Sequence, residues 1–399
     1  MHHNIIKTEY KLFIDKNLIY SIMYQPFVFK LPNITLDSKT ITSDKDNVEM
    51  SNIRPYPLFT LGFHSFLHRT RNGMEITKNL QTKIEFYYVV NPFENNSSNY
   101  EDNLISSTKK YLNTTKEYSN EFQKLWEVLF VFDITSQNQS IQIIGSDELE
   151  ECIKLFKEKT SKNKSKDKFV SNKEIKKNNY NLIINNFKKK VDDENFIEQE
   201  SYQELLETVI LILKNLSESS YAILQLYDTF TISTLKLIFI LQSCFDEAFI
   251  YKPYMSRHSD NEKYIILKKF KSPKDDIIKG LDNAYKNMDN KQYLNEIFPE
   301  LIIPKDYINT FKFINIKLIN NQQIMINDIV KYIKDNNYYG DKYHTYRDKQ
   351  IESTKWWITN FYPPSVNLYE KNKDELEKLF KNSQEKLQSE YQKFIETLV

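Results

Sequence analysis

The sequence predicts an α/β fold, a mostly parallel sheet with one antiparallel strand, followed by a helical C-terminal region. Three observations predict it. Between residues 200 and 270, helical apolar stripes alternate with buried runs of strand length. The last two runs of that stretch, Ala248 to Tyr251 and Tyr264 to Leu267, have no helical pattern between them, so they form an antiparallel pair. After Pro273 the apolar spacing is helical.

Taken in order, residues 1–54 mix short apolar runs with Asn, Asp and Ser and read as an irregular extension. An α/β domain is expected over 55–272. Its first pieces are an apolar helix at Leu58 to His68 and a buried strand at Lys83 to Val90. Asn95 to Thr115 is polar and loop-like. Tyr118 to Phe130 puts Phe122, Leu125, Trp126 and Leu129 on one helical face. Between Lys157 and Asn181 the composition turns to Lys, Asn and Ser, so 157–181 is expected to be a mobile insertion. Asp192, Asp193 and Glu194 read as a solvated loop in preference to a metal site. Tyr202, Leu205, Leu206, Val209, Leu213 and Leu216 form a helical stripe. Ala222 to Tyr227 is a buried strand, and Ile232 to Phe245 is a helix apolar nearly all round. In the helical region, 273–399, Pro363 and Pro364 end one helix. Leu376, Phe380, Leu387, Tyr391, Phe394 and Leu398 then line another, which packs back on the body or docks on a partner. Packing is favoured.

The chain has 399 residues, 40% hydrophobic and 27% charged, as a globular protein does. Lys plus Arg (55) nearly cancel Asp plus Glu (54), so any basic groove is local. Two cysteines, Cys152 and Cys244, argue for a reducing compartment and against a disulfide framework. The first 13 residues lack the apolar run of a signal peptide, and the longest apolar run contains Lys236. A cytoplasmic protein with no membrane partner is expected. Only five glycines occur, and no two lie close together. A phosphate or methyl-donor loop needs clustered glycines for close backbone approach, so no glycine-rich cofactor loop exists.

His64 and His68 are spaced for one helical face, but no nearby Glu or Cys completes a metal set, so no metal is expected. No Ser sits in a nucleophile elbow. The stretch Tyr338, Tyr339, Lys342, Tyr343, His344, Tyr346, Arg347, Lys349, Lys355, Trp356, Trp357 interleaves cations with rings. Such a composition either stacks single-stranded RNA or packs a helical domain with its cations outward, and packing is favoured.

Ser220 to Phe270 contains Lys252, Pro253, Ser256, Arg257, Ser259, Glu262 and Tyr264 in the pattern K-P-x-x-S-R-x-x-S-x-E-x-Y. This resembles the second half of FtsJ-type RNA ribose 2′-O-methyltransferases. FYYVVNPFE (Phe86 to Glu94), QKLWEVLFVFD (Gln123 to Asp133) and Tyr332 to Ser365 resemble the branch found in large cytoplasmic DNA viruses. The resemblance covers roughly 55–135 and 195–365. It implies a Rossmann-like class I methyltransferase sheet and a Lys, Asp, Lys, Glu set around the ribose hydroxyl. The first Lys falls on Lys124 and the Glu on Glu262. The central Lys, the proton acceptor, falls on Gln225, and the Asp falls on Asn186. A carboxamide takes up no proton near neutral pH. The donor loop falls on Gly145, Ser146 and Asp147, where Asp147 and Glu148 place two carboxylates beside the expected methionine carboxylate.

The expected function is therefore that of a catalytically degenerate methyltransferase, retained as an RNA-binding, partner-binding or structural subunit in viral mRNA processing or in the virion. Its expected RNA contacts are Lys252, Arg257, Lys342, Tyr343, Arg347 and Trp356. Partners are RNA or a viral capping, polyadenylation or virion protein, and no cofactor is expected. The alternative is an active cap ribose 2′-O-methyltransferase using S-adenosylmethionine.

Overall fold

The computed structural model describes residues 25–41, 47–55, 61–80, 86–94, 104–161, 165–171, 179–186, 190–273, 275–289, 291–335 and 340–398. Nine strands are present among them: β1 (Phe27–Lys30), β2 (Val48–Ser51), β3 (Ser140–Ile144), β4 (Lys168–Val170), β5 (Tyr180–Asn185), β6 (Leu216–Leu226), β7 (Phe245–Lys252), β8 (Lys263–Phe270) and β9 (Tyr293–Ile297). The helices are α1 (Leu61–Asn72), α2 (Leu104–Leu112), α3 (Asn120–Phe132), α4 (Glu148–Thr160), α5 (Ile197–Glu200), α6 (Tyr202–Asn215), α7 (Ile232–Ser243), α8 (Asp275–Asn287), α9 (Lys305–Lys334), α10 (Asp341–Phe361) and α11 (Val366–Glu396).

Seven strands form one sheet in the order β1-β7-β8-β6-β5-β3-β4. β4, β3, β5 and β6 are mutually parallel, and β8 runs antiparallel to both β6 and β7. This is the expected Rossmann-like sheet with β8 as its antiparallel strand. β1 adds a second antiparallel strand at the edge. Side chains alternate between faces, as strand geometry requires. Ile183, Ala222, Leu224 and Ile265 pack under α6, α7 and α9, while Leu182, Ile184, Ile223 and Ile266 pack under α3, α4 and α10. Helices therefore cover both faces, and the uninterrupted apolar runs of β5 and β6 follow from burial on both sides.

α7 is buried along almost its whole length, which explains its lack of a polar face. Its one cation, Lys236, pairs with Glu296 at 2.5 Å and donates to the Phe298 carbonyl at 2.8 Å. Thr231 caps its start, and the buried Glu198 carboxylate accepts from the Phe230 and Thr231 amides at 2.9–3.0 Å.

Several segments depart from expectation. The N-terminal extension is not irregular where described: β1 joins the main sheet, and β2 pairs with β9, itself a strand inside the region read as helical. Phe86–Val90 is a 3-10 helix, not a strand. Its β-favouring side chains have no neighbouring strand and pack instead on Ile329, Tyr332 and Ile333 of α9. The polar stretch before Thr115 holds α2, which buries Leu104, Thr108 and Leu112 at four-residue spacing. Within 157–181 the buried Lys157 ammonium binds Asp167, Gln139 Oε1 and the Ser136 carbonyl, each at 2.8 Å, and Lys168–Val170 extends the sheet. The composition there reflects a short edge strand with an open face. Residues 162–164 and 172–178 of it, 58–60 of the first expected helix, and 83–85 of the expected strand lie outside the described residues.

The last helix, α11, packs back on the body. Leu376 and Phe380 are buried, with the Phe380 ring 5.8 Å from Tyr251, while Leu387, Tyr391 and Phe394 cover the opposite cluster. Among the described residues no helix is long and apolar enough to cross a membrane.

Candidate functional site

The carboxyl ends of β5 and β6 and the start of β8 meet at one rim of the sheet, because β8 runs antiparallel and pairs Gln225 with Tyr264 and Leu226 with Lys263. Crevices at such strand ends are where open α/β sheets bind ligands. α3 crosses this rim with Glu121 and Lys124 one turn apart. Four sequence-selected positions converge here. The Lys124 ammonium lies 2.5 Å from Glu262 Oε1 and 2.9 Å from Glu121 Oε1. Gln225 Nε2 donates to Glu262 Oε2 at 2.8 Å, and Asn186 Nδ2 donates to Glu121 Oε2 at 2.6 Å. The Tyr264 hydroxyl completes the cluster, 3.1 Å from Asn186 Oδ1 and 3.3 Å from Glu121 Oε2.

Burial opposes the charge on Lys124, but the Glu262 and Glu121 carboxylates outweigh it and raise its pKa. Burial likewise works against the Glu262 charge, and Lys124 with Lys252 overcomes it, so this carboxyl is held below its usual range. Lys124 is a locked cation and supplies no free base. Gln225 carries no ionisable nitrogen. The arrangement holds two carboxylates apart with one ammonium and two amides, and that is a structural knot.

The K-P-x-x-S-R segment between β7 and β8 holds this knot in place. Burial lowers the Lys252 pKa to about 8. Its ammonium donates to the carbonyls of Asp260 and Glu262 at 2.9 Å and to Ser256 Oγ at 3.2 Å. Ser256 Oγ donates onward to Glu262 Oε1 at 2.7 Å. Arg257 grips Glu94 through two bonds of 2.8 and 2.9 Å and lies 3.5 Å above the Tyr88 ring. Glu127, one turn below Lys124, accepts from the Tyr254 and Met255 amides, the Tyr251 hydroxyl and Trp357 Nε1 at 2.8–2.9 Å. Burial pushes its pKa up to about 7 against those four donors.

Gly145 ends β3 with φ of +154°, and a Cβ there would stand 3.0 Å from Leu149 and 3.3 Å from Asn186. Ser146 and Asp147 are exposed beyond it. The gap between this loop and the start of α3 is crossed by side chains. Ser119 gives both its amide and its hydroxyl to Glu148, at 3.0 and 2.6 Å, and the Tyr118 hydroxyl binds Glu151 at 2.7 Å. With Asn186 bound to Glu121, the start of α3 is tied to the loop after β5 and, through Ser119, to the start of α4.

The expected RNA contacts are placed differently. Lys252 and Arg347 are buried, and Arg347 donates to Gln350, which in turn holds the Tyr88 and Asn91 carbonyls. Trp356 packs on Tyr254 and Phe93, with centroids 5.0 and 6.1 Å away. Tyr343 is partly buried against the cluster that α9 forms with Tyr87 to Val90, and the exposed Lys342 pairs with Asp335. The alternation of cations and rings in α10 thus packs one face, with Arg347 buried on Gln350 and Lys342 turned outward to Asp335. Arg257 is spoken for by Glu94 and Tyr88. The His64 and His68 rings lie 4.0 Å apart at a tilt and meet Phe230 and Phe196 edge-on at 6.3 and 5.1 Å, and among the described residues no His, Cys, Asp and Glu group of three or more is placed to hold a metal. Asp192, Asp193 and Glu194 are exposed.

No protein-family model matches the chain. Over 265 residues, 64% of this chain and 72% of the other, it is 26% identical to an uncharacterized protein of Acanthamoeba polyphaga mimivirus. Over 131 residues it is 24% identical to the cap-specific mRNA (nucleoside-2′-O-)-methyltransferase 1 of Xenopus laevis, covering 31% of this chain and 15% of that enzyme. The Mus musculus enzyme of that name is 28% identical over 121 residues, 27% and 14% of the two chains. The likeness is to a methyltransferase. It is distant, and this chain spans only a small part of those enzymes.

Sequence reasoning missed Glu121, Glu127 and the pair of Arg71 with Asp228, which bond twice at 2.7 and 2.8 Å. Two had a readable signal. Glu121 precedes Lys124 by three residues on one helix, and Glu127 is a lone acid in the apolar run LWEVLF.

Proposed function

We propose that this protein is a methyltransferase-fold subunit of viral mRNA processing that binds RNA or a protein partner and transfers no methyl group. One observation carries the reading. Where the FtsJ-type set needs a proton acceptor, Gln225 offers a neutral amide already bonded to Glu262, and the nearest amine, Lys124, is clamped between two carboxylates. A general base is worth about 10²–10⁴ in rate, and Lys252, whose pKa burial lowers to about 8, is committed to the Asp260 and Glu262 carbonyls and to Ser256 Oγ. The residues at the donor loop do not fit S-adenosylmethionine either. Glu148 and Asn186, which flank its entrance, are bonded to α3, and Asp147 and Glu148 would repel the methionine carboxylate. The viral origin rests on the mimivirus relative, and the link to RNA rests on the cap methyltransferases.

The test is transfer of a labelled methyl group from S-adenosylmethionine to capped RNA. Expected is no transfer above that of Glu262→Ala. Transfer that Lys124→Ala abolishes would overturn the reading. The second reading, an active cap ribose 2′-O-methyltransferase, draws on the 24–28% identity to enzymes of that activity and would be established by that outcome.

A further inference from the structure

Glu121 is held in a way that its own stability does not require. It stands on the first turn of α3 with its side chain 32% exposed, where a carboxylate commonly ends in water. Three polar groups nevertheless converge on it, the hydroxyl among them sharing its one proton with Asn186 Oδ1 at 3.1 Å. The Lys124 ammonium, itself 6% exposed, lies 2.9 Å from Oε1. The Asn186 amide donates to Oε2 at 2.6 Å, and the Tyr264 hydroxyl lies 3.3 Å from the same oxygen. These groups come from α3, from the loop after β5 and from β8, and each is fixed by contacts besides Glu121. Lys124 is held by Glu262, Asn186 follows the bond from its amide to the Ile144 carbonyl, and Tyr264 is paired with Gln225 across the ladder. The start of α3 adds its positive end to the same spot. Such a set would persist if the carboxylate left.

We propose that Glu121 is an internal ligand occupying a monoanion-binding site made by the Lys124 ammonium, the Asn186 carboxamide and the Tyr264 hydroxyl. The ligand class is set by charge. With Glu121 withdrawn, the Lys124 and Lys252 ammonium groups face the single Glu262 carboxylate, so the site is left with one uncompensated positive charge, takes one negative charge and disfavours two. A carboxylate or a phosphodiester fits that requirement, whereas a phosphate monoester carries about 1.5–2 charges at neutral pH and does not. The exposed flank of Glu121 gives such a group its approach. In the native chain Glu121 is present at a far higher effective concentration than a free small anion, so only an anionic group carried by a larger bound ligand would displace it and release the start of α3 from Asn186. This proposal does not depend on whether the protein transfers methyl groups.

The test uses the full chain with Glu121→Ala, which removes the internal anion and leaves a residue that favours helix. Its melting temperature should fall by about 2–4 °C. Acetate or dimethyl phosphate, against chloride at equal ionic strength, should restore it in a saturable manner. Recovery by acetate alone assigns the site to a carboxylate, and recovery by dimethyl phosphate to a phosphodiester. Wild type, Glu121→Gln, whose amide still fills the position, and Glu121→Ala with Asn186→Ala should show no specific response. A Glu121→Ala protein indifferent to both anions, or a wild type that responds equally, overturns the proposal.

Discussion

At the scale of single residues, the cluster around Lys124 is defined by what its charges can no longer do. A buried ion pair returns little net stability, but removing one member leaves the other uncompensated. Lys124→Met should therefore cost about 3–5 kcal/mol in urea unfolding, and adding Glu262→Gln to it should recover part of that loss. Equal losses in the single and double variants would mean that the pair is not coupled. Gln225 and Glu262 were read from the K-P-x-x-S-R pattern and the strand before it, Lys124 from Gln123 to Asp133, and Gly145 from the run after Ile141. Glu121 was not. Its bond to Asn186 spans 65 residues of sequence, and only the packing of α3 over the ends of β3 and β5 brings the two together.

At the scale of elements, α3 is the piece on which the rim depends. Glu127 draws the β7–β8 connection and α10 onto it through four donors, and Trp126, fully buried beside it, donates to the Phe361 carbonyl at 2.8 Å. Glu127→Ala would leave four buried donors without an acceptor, each costing about 1–3 kcal/mol before relaxation. The expected result is a protein that unfolds at markedly lower urea and shows red-shifted tryptophan emission from Trp357. Unchanged stability would show that those donors have other partners.

α1 carries a separate, pH-dependent element. Burial, His68 and Arg71 lower the His64 pKa to about 4, and burial and Arg71 lower that of His68. Both fold neutral, while the unfolded chain takes up protons from about pH 6.5 downward. A depressed folded pKa contributes stability above the unfolded value that is lost as pH falls through the folded one. Stability should accordingly decline between pH 6.5 and 4, and His64→Phe with His68→Phe should make that decline shallower. Identical slopes would remove the pair from the acid limb. The helix itself was expected from its apolar spacing. Phe86–Val90 misled, because five β-favouring residues predict a strand only where another strand can pair with them, and here the neighbour is α9.

At the scale of the whole molecule, the mostly parallel sheet and the antiparallel pairing of β7 with β8 followed from the alternation of stripes and buried runs, while the strand order came only from the structure. Nor were the edges legible. β1, β4 and the β2–β9 pair are only three to five residues long, too short for periodicity to separate them from loops, and their partners lie far away in sequence. These short pieces bind the first described residues and the C-terminal region onto the central sheet, and α11 spans the clusters on both of its faces.

The most direct measurement is isothermal titration of the full-length protein with S-adenosylmethionine. With Ser119 bonded to Glu148 and Glu121 to Asn186 across the entrance, no saturable heat is expected. Binding in the micromolar range, with one donor taken up per chain, would contradict the proposed loss of methyl transfer and favour an enzyme.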